Sequence, residues 1–215
     1  MELIAQRNLY VALFVAGIFP FLINGVINAI IFPHPWLYWT FEIVSWVALP
    51  IVVFSLATRR GGLRFGQLGI HACVRGRRNV PVLLLLCLLA GPLDLFVYKH
   101  SLDFFSRIVP GTSLFEYESV VPANGVLRIV VALYLGITAG VVEELYFRGF
   151  FFKISQFFSA PLAVYLTFSP VLFALIHWEG APANVPATYV LGLVHRAHFC
   201  GRPQSVATHH RPHLY

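Results

Sequence analysis

From Leu9 to Phe32 no residue carries a formal charge. About 20 apolar residues are enough for a helix to cross the hydrocarbon core of a bilayer. A segment lying there must satisfy its own backbone hydrogen bonds, which leaves helices and closed barrels as the only spanning structures. The run is too long for a signal-peptide core, and Arg7 is the only basic residue before it, so it reads as a retained transmembrane helix kinked at Pro20. Composition extends the argument to the whole chain. Hydrophobic residues make up 58% and charged residues 11%, with a mean hydropathy of +0.76, against roughly 25% charge in a soluble domain. A water-soluble globule of 215 residues could not hide that much apolar surface. Soluble, disordered and secreted disulfide-rich classes are excluded. The expectation is an all-α polytopic transmembrane helical bundle, with about five full membrane helices plus an aborted sixth.

The next apolar runs are Trp36 to Ala57, opened by the interfacial aromatics Trp36, Tyr38 and Trp39, then Val80 to Tyr98, Val126 to Phe158, Pro161 to Trp178, and a short one from Asn184 to Val194. His34, between Pro33 and Pro35, forms the first turn. The net charge of +6 is a matter of topology rather than of nucleic acid. Arg59, Arg60, Arg64, Arg75, Arg77 and Arg78 fall in one segment between two apolar runs, as in a cytoplasmic loop. Anionic lipid headgroups are the natural partner of such a loop. The loop fixes the rest: N-terminus cytoplasmic, Lys99 to Gly125 on the opposite side, and the turn at Ser159 to Pro161 inside. The expected location is the cell membrane. Cys73, Cys87 and Cys200 share no short spacing and imply neither a disulfide framework nor a zinc site. Three regions emerge: N-terminal helices with the arginine-rich loop (1–125), a core (126–194) and an atypical polar tail (195–215).

Chemistry concentrates in the core. Glu143 and Glu144 stand side by side in an apolar stretch, the second four residues before Arg148. Each charge at the centre of a membrane helix costs about 2.5–3.5 kcal/mol on insertion scales, so such groups need partners or water. Glu144 and Arg148, at i and i+4, share a helix face and can pair. Glu143 is left without a local cation, and a carboxylate of that kind suits general acid and base work. His177 closes the next run. If the two runs form a hairpin turning at Ala160, Glu143 lies 17 residues before the turn and His177 lies 17 after it. Both then sit at one depth, about 25 Å along their helices. Glu42 and Asp94 read as packing or helix-end acids, and His71 and His100 as solvated loop residues.

Glu143-Glu144-x-x-x-Arg148 and Phe173-x-x-x-His177 resemble the first two motifs of the CAAX protease and bacteriocin-processing (CPBP, or Abi) family of intramembrane endopeptidases, over about Leu127 to Val194. The resemblance implies an α-helical membrane protein that cleaves prenylated CAAX proteins, peptide precursors or other membrane-associated protein or peptide substrates. It implies a water between the two residues, with Glu143 as general base, His177 positioning the water, and Glu144 and Arg148 orienting the site. Members of the family are often labelled metalloproteases, but these residues fit a glutamate-dependent, metal-free mechanism at least as well. Zinc is under-liganded here, since a catalytic site usually supplies three protein ligands. The family's third motif, His-x-x-x-Asn on a later helix, would stabilise the oxyanion, and it does not occur in this sequence. A non-catalytic scaffold or a proton-relay transporter is the competing reading. A transporter would be expected to show repeated halves, and the sequence has none.

The tail from His195 to Tyr215 holds five histidines and three arginines and has no helical hydrophobic period. Histidine codons read one base later begin AT or AC. His209-His210-Arg211-Pro212-His213 can thereby become Ile-Ile-Ala-His-Ile, an apolar run with one histidine. The expectation is an out-of-frame translation of the third-motif helix and a chain without full protease activity.

Overall fold

The computed structural model describes residues 2–68, 80–114 and 120–200. His71, Cys73, Arg75, Arg77, Arg78 and the part of the tail from 201 to 215 lie outside the described residues. Among the described residues the chain is helical and has no strand.

The first apolar run is two helices, α1 (Glu2–Leu22) and α2 (Asn24–Ile31). Pro20, which donates no amide hydrogen, lies inside α1, and the helix runs on past it to Leu22. The break itself falls three residues after the proline, at Ile23 (φ −101°, ψ 3°). The amide of Val26 bonds the carbonyl of Ile23 at 3.0 Å, and the Leu22 carbonyl is left over for another partner. The second run is α3 (Pro35–Ile43), a π-helical turn (Val44–Ala48) and α4 (Leu49–Arg59). The π turn lies directly before Pro50, whose missing amide disturbs the ladder there. Beyond α4, Tyr10 on α1 donates its hydroxyl to the Gly61 carbonyl at 2.8 Å, which ties the start of the arginine segment to the first helix.

The third run, α5, is longer than its apolar part. It spans Val80–Ser106, 27 residues, or about 40 Å. His100 therefore sits on a helix rather than in a loop, although it is exposed. The fourth run is one continuous rod: α6 (Gly125–Glu143), a π-helical segment (Glu144–Phe150) and α7 (Phe151–Phe157). Asn124 caps it by accepting the amides of Val126 and Leu127 at 3.0 and 3.2 Å. The fifth, α8 (Leu162–Leu175), has 14 residues, or about 21 Å, and stops before His177. The last, α9 (Asn184–Cys200), continues through Val194, where the sequence pattern had ended it.

Three stretches, Leu3–Leu22, Pro35–Arg59 and Gly125–Phe157, are long and apolar enough to cross a membrane. Val126, Ile129, Leu133, Ile137 and Val141 stand exposed along α6. An apolar face of that length demands lipid rather than water. The chain is an integral membrane protein built as an all-α bundle. Its core gathers Tyr10, Phe14 and Phe21 of α1, Phe54 of α4, and Tyr146 and Phe150 of the π segment. There α1 and α4 pack around the rod, while α9 packs on both α8 and α5.

Candidate functional site

The rod changes its winding at the acidic pair. From Glu144 to Phe150 the turns are π-helical. The switch back to α-helical bonding at Phe151 leaves one carbonyl more than there are amides to serve it. Two hydroxyls of α8 arrive at that point. Tyr165 donates to the Arg148 carbonyl at 2.9 Å, and Ser169 donates to the Phe147 carbonyl at 2.6 Å. On the other flank the backbone of Gly149 lies against Leu68. A methyl group there would meet the Leu68 Cβ at 2.9 Å and its carbonyl oxygen at 3.2 Å. The π segment is thus wedged between α8 and the short 3-10 helix Phe65–Leu68.

All four residues singled out from the sequence meet here. Arg148 is 3% exposed, and its Nε lies 3.3 Å from Glu144 Oε1. Its guanidinium covers the Phe173 ring at 4.6 Å from the centroid. On the same ring the His177 imidazole packs edge-on, with centroids 4.8 Å apart. His177 Nε2 then faces Glu143 Oε1 at 3.6 Å. The depth match from the 17-residue spacing is a side-chain contact. Phe173 is the plate on which both the guanidinium and the imidazole rest, which gives the Phe-x-x-x-His spacing its physical sense.

His177 lies one residue past the α8 C-cap, and its backbone amide still bonds the Ala174 carbonyl at 3.0 Å. Its Nδ1 sits 2.7 Å from the Phe173 carbonyl. A carbonyl can only accept, so Nδ1 carries the hydrogen, and in the neutral ring Nε2 keeps its lone pair. The side toward Glu143 is therefore an acceptor facing an acceptor, a place for a species that brings protons.

Several residues that the sequence did not single out hold this arrangement. Asn184 at the start of α9 donates to the His177 carbonyl at 3.1 Å and accepts from the Tyr98 hydroxyl of α5. Glu179, 6% exposed, accepts from Asn24 Nδ2 at 2.8 Å. Glu42 is also buried and feels the charge of Glu179. Asp94 is half-buried on α5. An acid two residues after His177 and the amides Asn24 and Asn28 inside an uncharged run were the available signals.

Beside the acidic pair a groove of about 430 Å³ runs between the second run and the rod. Its walls include Trp46, Pro50 and Phe54 on one side and Val141, Val142 and Leu145 on the other.

Residues 125–207 match the family model described as type II CAAX prenyl endopeptidase, Rce1-like. The matched segment is less than half the chain. It contains Glu143, Glu144, Arg148 and His177, and it runs past Val194, the end of the resemblance as read from the motifs. The match is consistent with a CPBP-type protein and with CAAX-protease-like intramembrane proteolysis at the level of the family. Neither the curated proteins nor the solved structures yield a match.

Proposed function

We propose that the chain is an intramembrane endopeptidase that hydrolyses membrane-associated protein or peptide substrates with a water activated by Glu143 and His177. The observation that carries this reading is the 3.6 Å approach of Glu143 Oε1 to His177 Nε2 from two separate elements. A water that donates one hydrogen to each acceptor directs its oxygen lone pair away from both, toward a bound carbonyl. Glu143 takes the proton as the oxygen adds to the scissile carbon, and His177 holds the water in line. On collapse the C–N bond breaks, and the proton passes from Glu143 to the leaving amine. The products are one carboxylic acid and one amine, with no oxidant or reductant. Arg148 keeps Glu144 engaged at 3.3 Å, so the pair orients the site and Glu143 alone serves as base.

The donor set does not suit zinc. Glu143 and His177 supply two ligands, and among the described residues no three His, Cys, Asp or Glu side chains lie together. The apolar groove beside Val142 and Leu145 supports a substrate that arrives with a lipid-soluble portion, a prenylated CAAX-type peptide being the first to try. Membrane lipids are the other partner, and nucleic acid is not one. Arg59, Arg60 and Arg64 support a cytoplasmic position for that end of the second run and for the N-terminus, in the cell membrane.

The test is cleavage of a quenched fluorescent farnesylated CAAX peptide by the purified chain in lipid nanodiscs. Wild type should cleave, below the rate of a chain that carries the third motif, while Glu143→Gln and His177→Ala should each be slower still by about 10²–10⁴-fold, the usual loss for a general base or its partner. Cleavage by Glu143→Gln at the wild-type rate would refute the reading.

A further inference from the structure

The segment after His177 is not a free loop. It is fastened to the break between α1 and α2, more than 150 residues earlier in the chain. Trp178 donates its indole N–H to the Leu22 carbonyl at 2.9 Å. That carbonyl is the one released when Val26 bonds Ile23 instead, so the helix break supplies the acceptor. One residue on, the buried Glu179 accepts from Asn24 Nδ2 at 2.8 Å. Between these bonds the backbone of Gly25 presses on the pair. A methyl group there would meet the Trp178 ring and the Glu179 Cβ, both at 2.9 Å. The Glu179 carbonyl is held too, accepting the Leu114 amide at 3.1 Å.

We infer that Asn24, Trp178 and Glu179 are positioning residues that fix His177 opposite Glu143, so that the kinked first membrane segment sets the geometry of the hydrolytic pair. This rests on the endopeptidase reading above. His177 stands two residues beyond Leu175, the last residue of α8, and helix ends fray. The residues just after it therefore decide where the imidazole sits. The clasp acts on Trp178 and Glu179, the two residues that follow His177 in the chain. Its role is to prevent a displacement, and a shift of about 1 Å costs up to about 10²-fold in rate. Asn24, Trp178 and Glu179 are not among the residues that line the apolar groove, so substrate affinity should be indifferent to them.

The experiment uses the full chain in nanodiscs at pH 8 with the farnesylated CAAX peptide. The variants are Asn24→Asp, Trp178→Phe and the exchange pair Asn24→Asp with Glu179→Gln. Asn24→Asp sets two carboxylates against each other. The pair restores one hydrogen bond with donor and acceptor reversed. Expected results are a fall in kcat of about 10-fold or more for Asn24→Asp and for Trp178→Phe, KM within about twofold of wild type, and recovery of most of kcat in the pair. Thermal unfolding separates loss of position from loss of fold. If Asn24→Asp alone fails to fold, Trp178→Phe and the pair still decide. Wild-type kcat in the folded Trp178→Phe and Asn24→Asp chains overturns the inference, as does a loss confined to KM. Glu143→Gln runs beside them. If it matches wild type, the endopeptidase reading fails and the clasp has nothing to position. If it is inactive while the clasp variants are fully active, the clasp alone is wrong.

Discussion

The π-helical winding of the rod makes a quantitative prediction about two hydroxyls. Tyr165→Phe and Ser169→Ala each remove one donor from the carbonyls of Arg148 and Phe147, bonded at 2.9 and 2.6 Å. Neither change opens a large cavity. With Tyr165→Phe the aromatic ring stays and keeps its contacts with Phe151 and Phe152, whose centroids lie 6.1 and 4.9 Å away. In a soluble core, a buried carbonyl left unsatisfied costs about 1–3 kcal/mol. In a membrane the denatured state retains helices whose polar groups find other partners, and measured side-chain bonds average about 0.6 kcal/mol, with a maximum near 1.7. The second regime applies, because without the hydroxyls the segment can rewind toward α-helical bonding. Each single variant should lose about 0.5–1.5 kcal/mol. The double variant should lose less than the sum, since one rewinding answers both losses. Rewinding turns Glu143 relative to the rest of the rod, so cleavage should fall further than stability. Unfolding by SDS titration in mixed micelles measures the first, and turnover of the farnesylated peptide measures the second. Full additivity with unchanged turnover would contradict the idea that these hydroxyls hold a strained winding next to the site.

Other contacts carry their own consequences. Gly149→Val places a branched side chain where even a methyl meets Leu68 at 2.9 Å, and overpacking should destabilise the chain by about 1–3 kcal/mol in the same titration. Arg148→Lys keeps the charge but loses the planar group resting on Phe173 at 4.6 Å. It should lower kcat by about tenfold or more, and wild-type turnover would show that the stacked guanidinium is dispensable. In a cysteine-free background, a cysteine at Arg60 should react with an impermeant maleimide only after the membrane is opened, whereas one at Ser113 should react in intact cells. The reverse pattern would invert the topology.

The juxtaposition of the site's side chains was more legible in the sequence than the winding that delivers it. Glu144 and Arg148 were legible as a pair because local spacing on a helix decides it, and their 3.3 Å contact survives the change from α to π turns. Glu143 and His177 were legible because a hairpin about Ala160 equates their depths. The π segment was not legible. The groups that meet it, Leu68 on one flank and Tyr165 and Ser169 on the other, are none of them local in sequence. The break at Ile23 was not legible either. Proline marks a kink in sequence, but the partners at the break, Trp178 on the Leu22 carbonyl and Glu179 on Asn24, lie more than 150 residues away. Hydropathy set the end of α5 at Tyr98, yet the helix continues to Ser106, because backbone bonding does not stop where a helix leaves the apolar layer. The short run to Val194 likewise extends to Cys200.

In the proposed reaction the nucleophile is a water between Glu143 and His177. Single-turnover cleavage of the farnesylated peptide in H₂¹⁸O, read by mass spectrometry, follows that oxygen. Wild type should place one ¹⁸O atom in the newly formed carboxylate, and Glu143→Gln in an equally folded chain should incorporate it at a rate lower by at least about 10²-fold. Equal incorporation by the two proteins would contradict the proposed reaction, and so would an intact peptide with wild type.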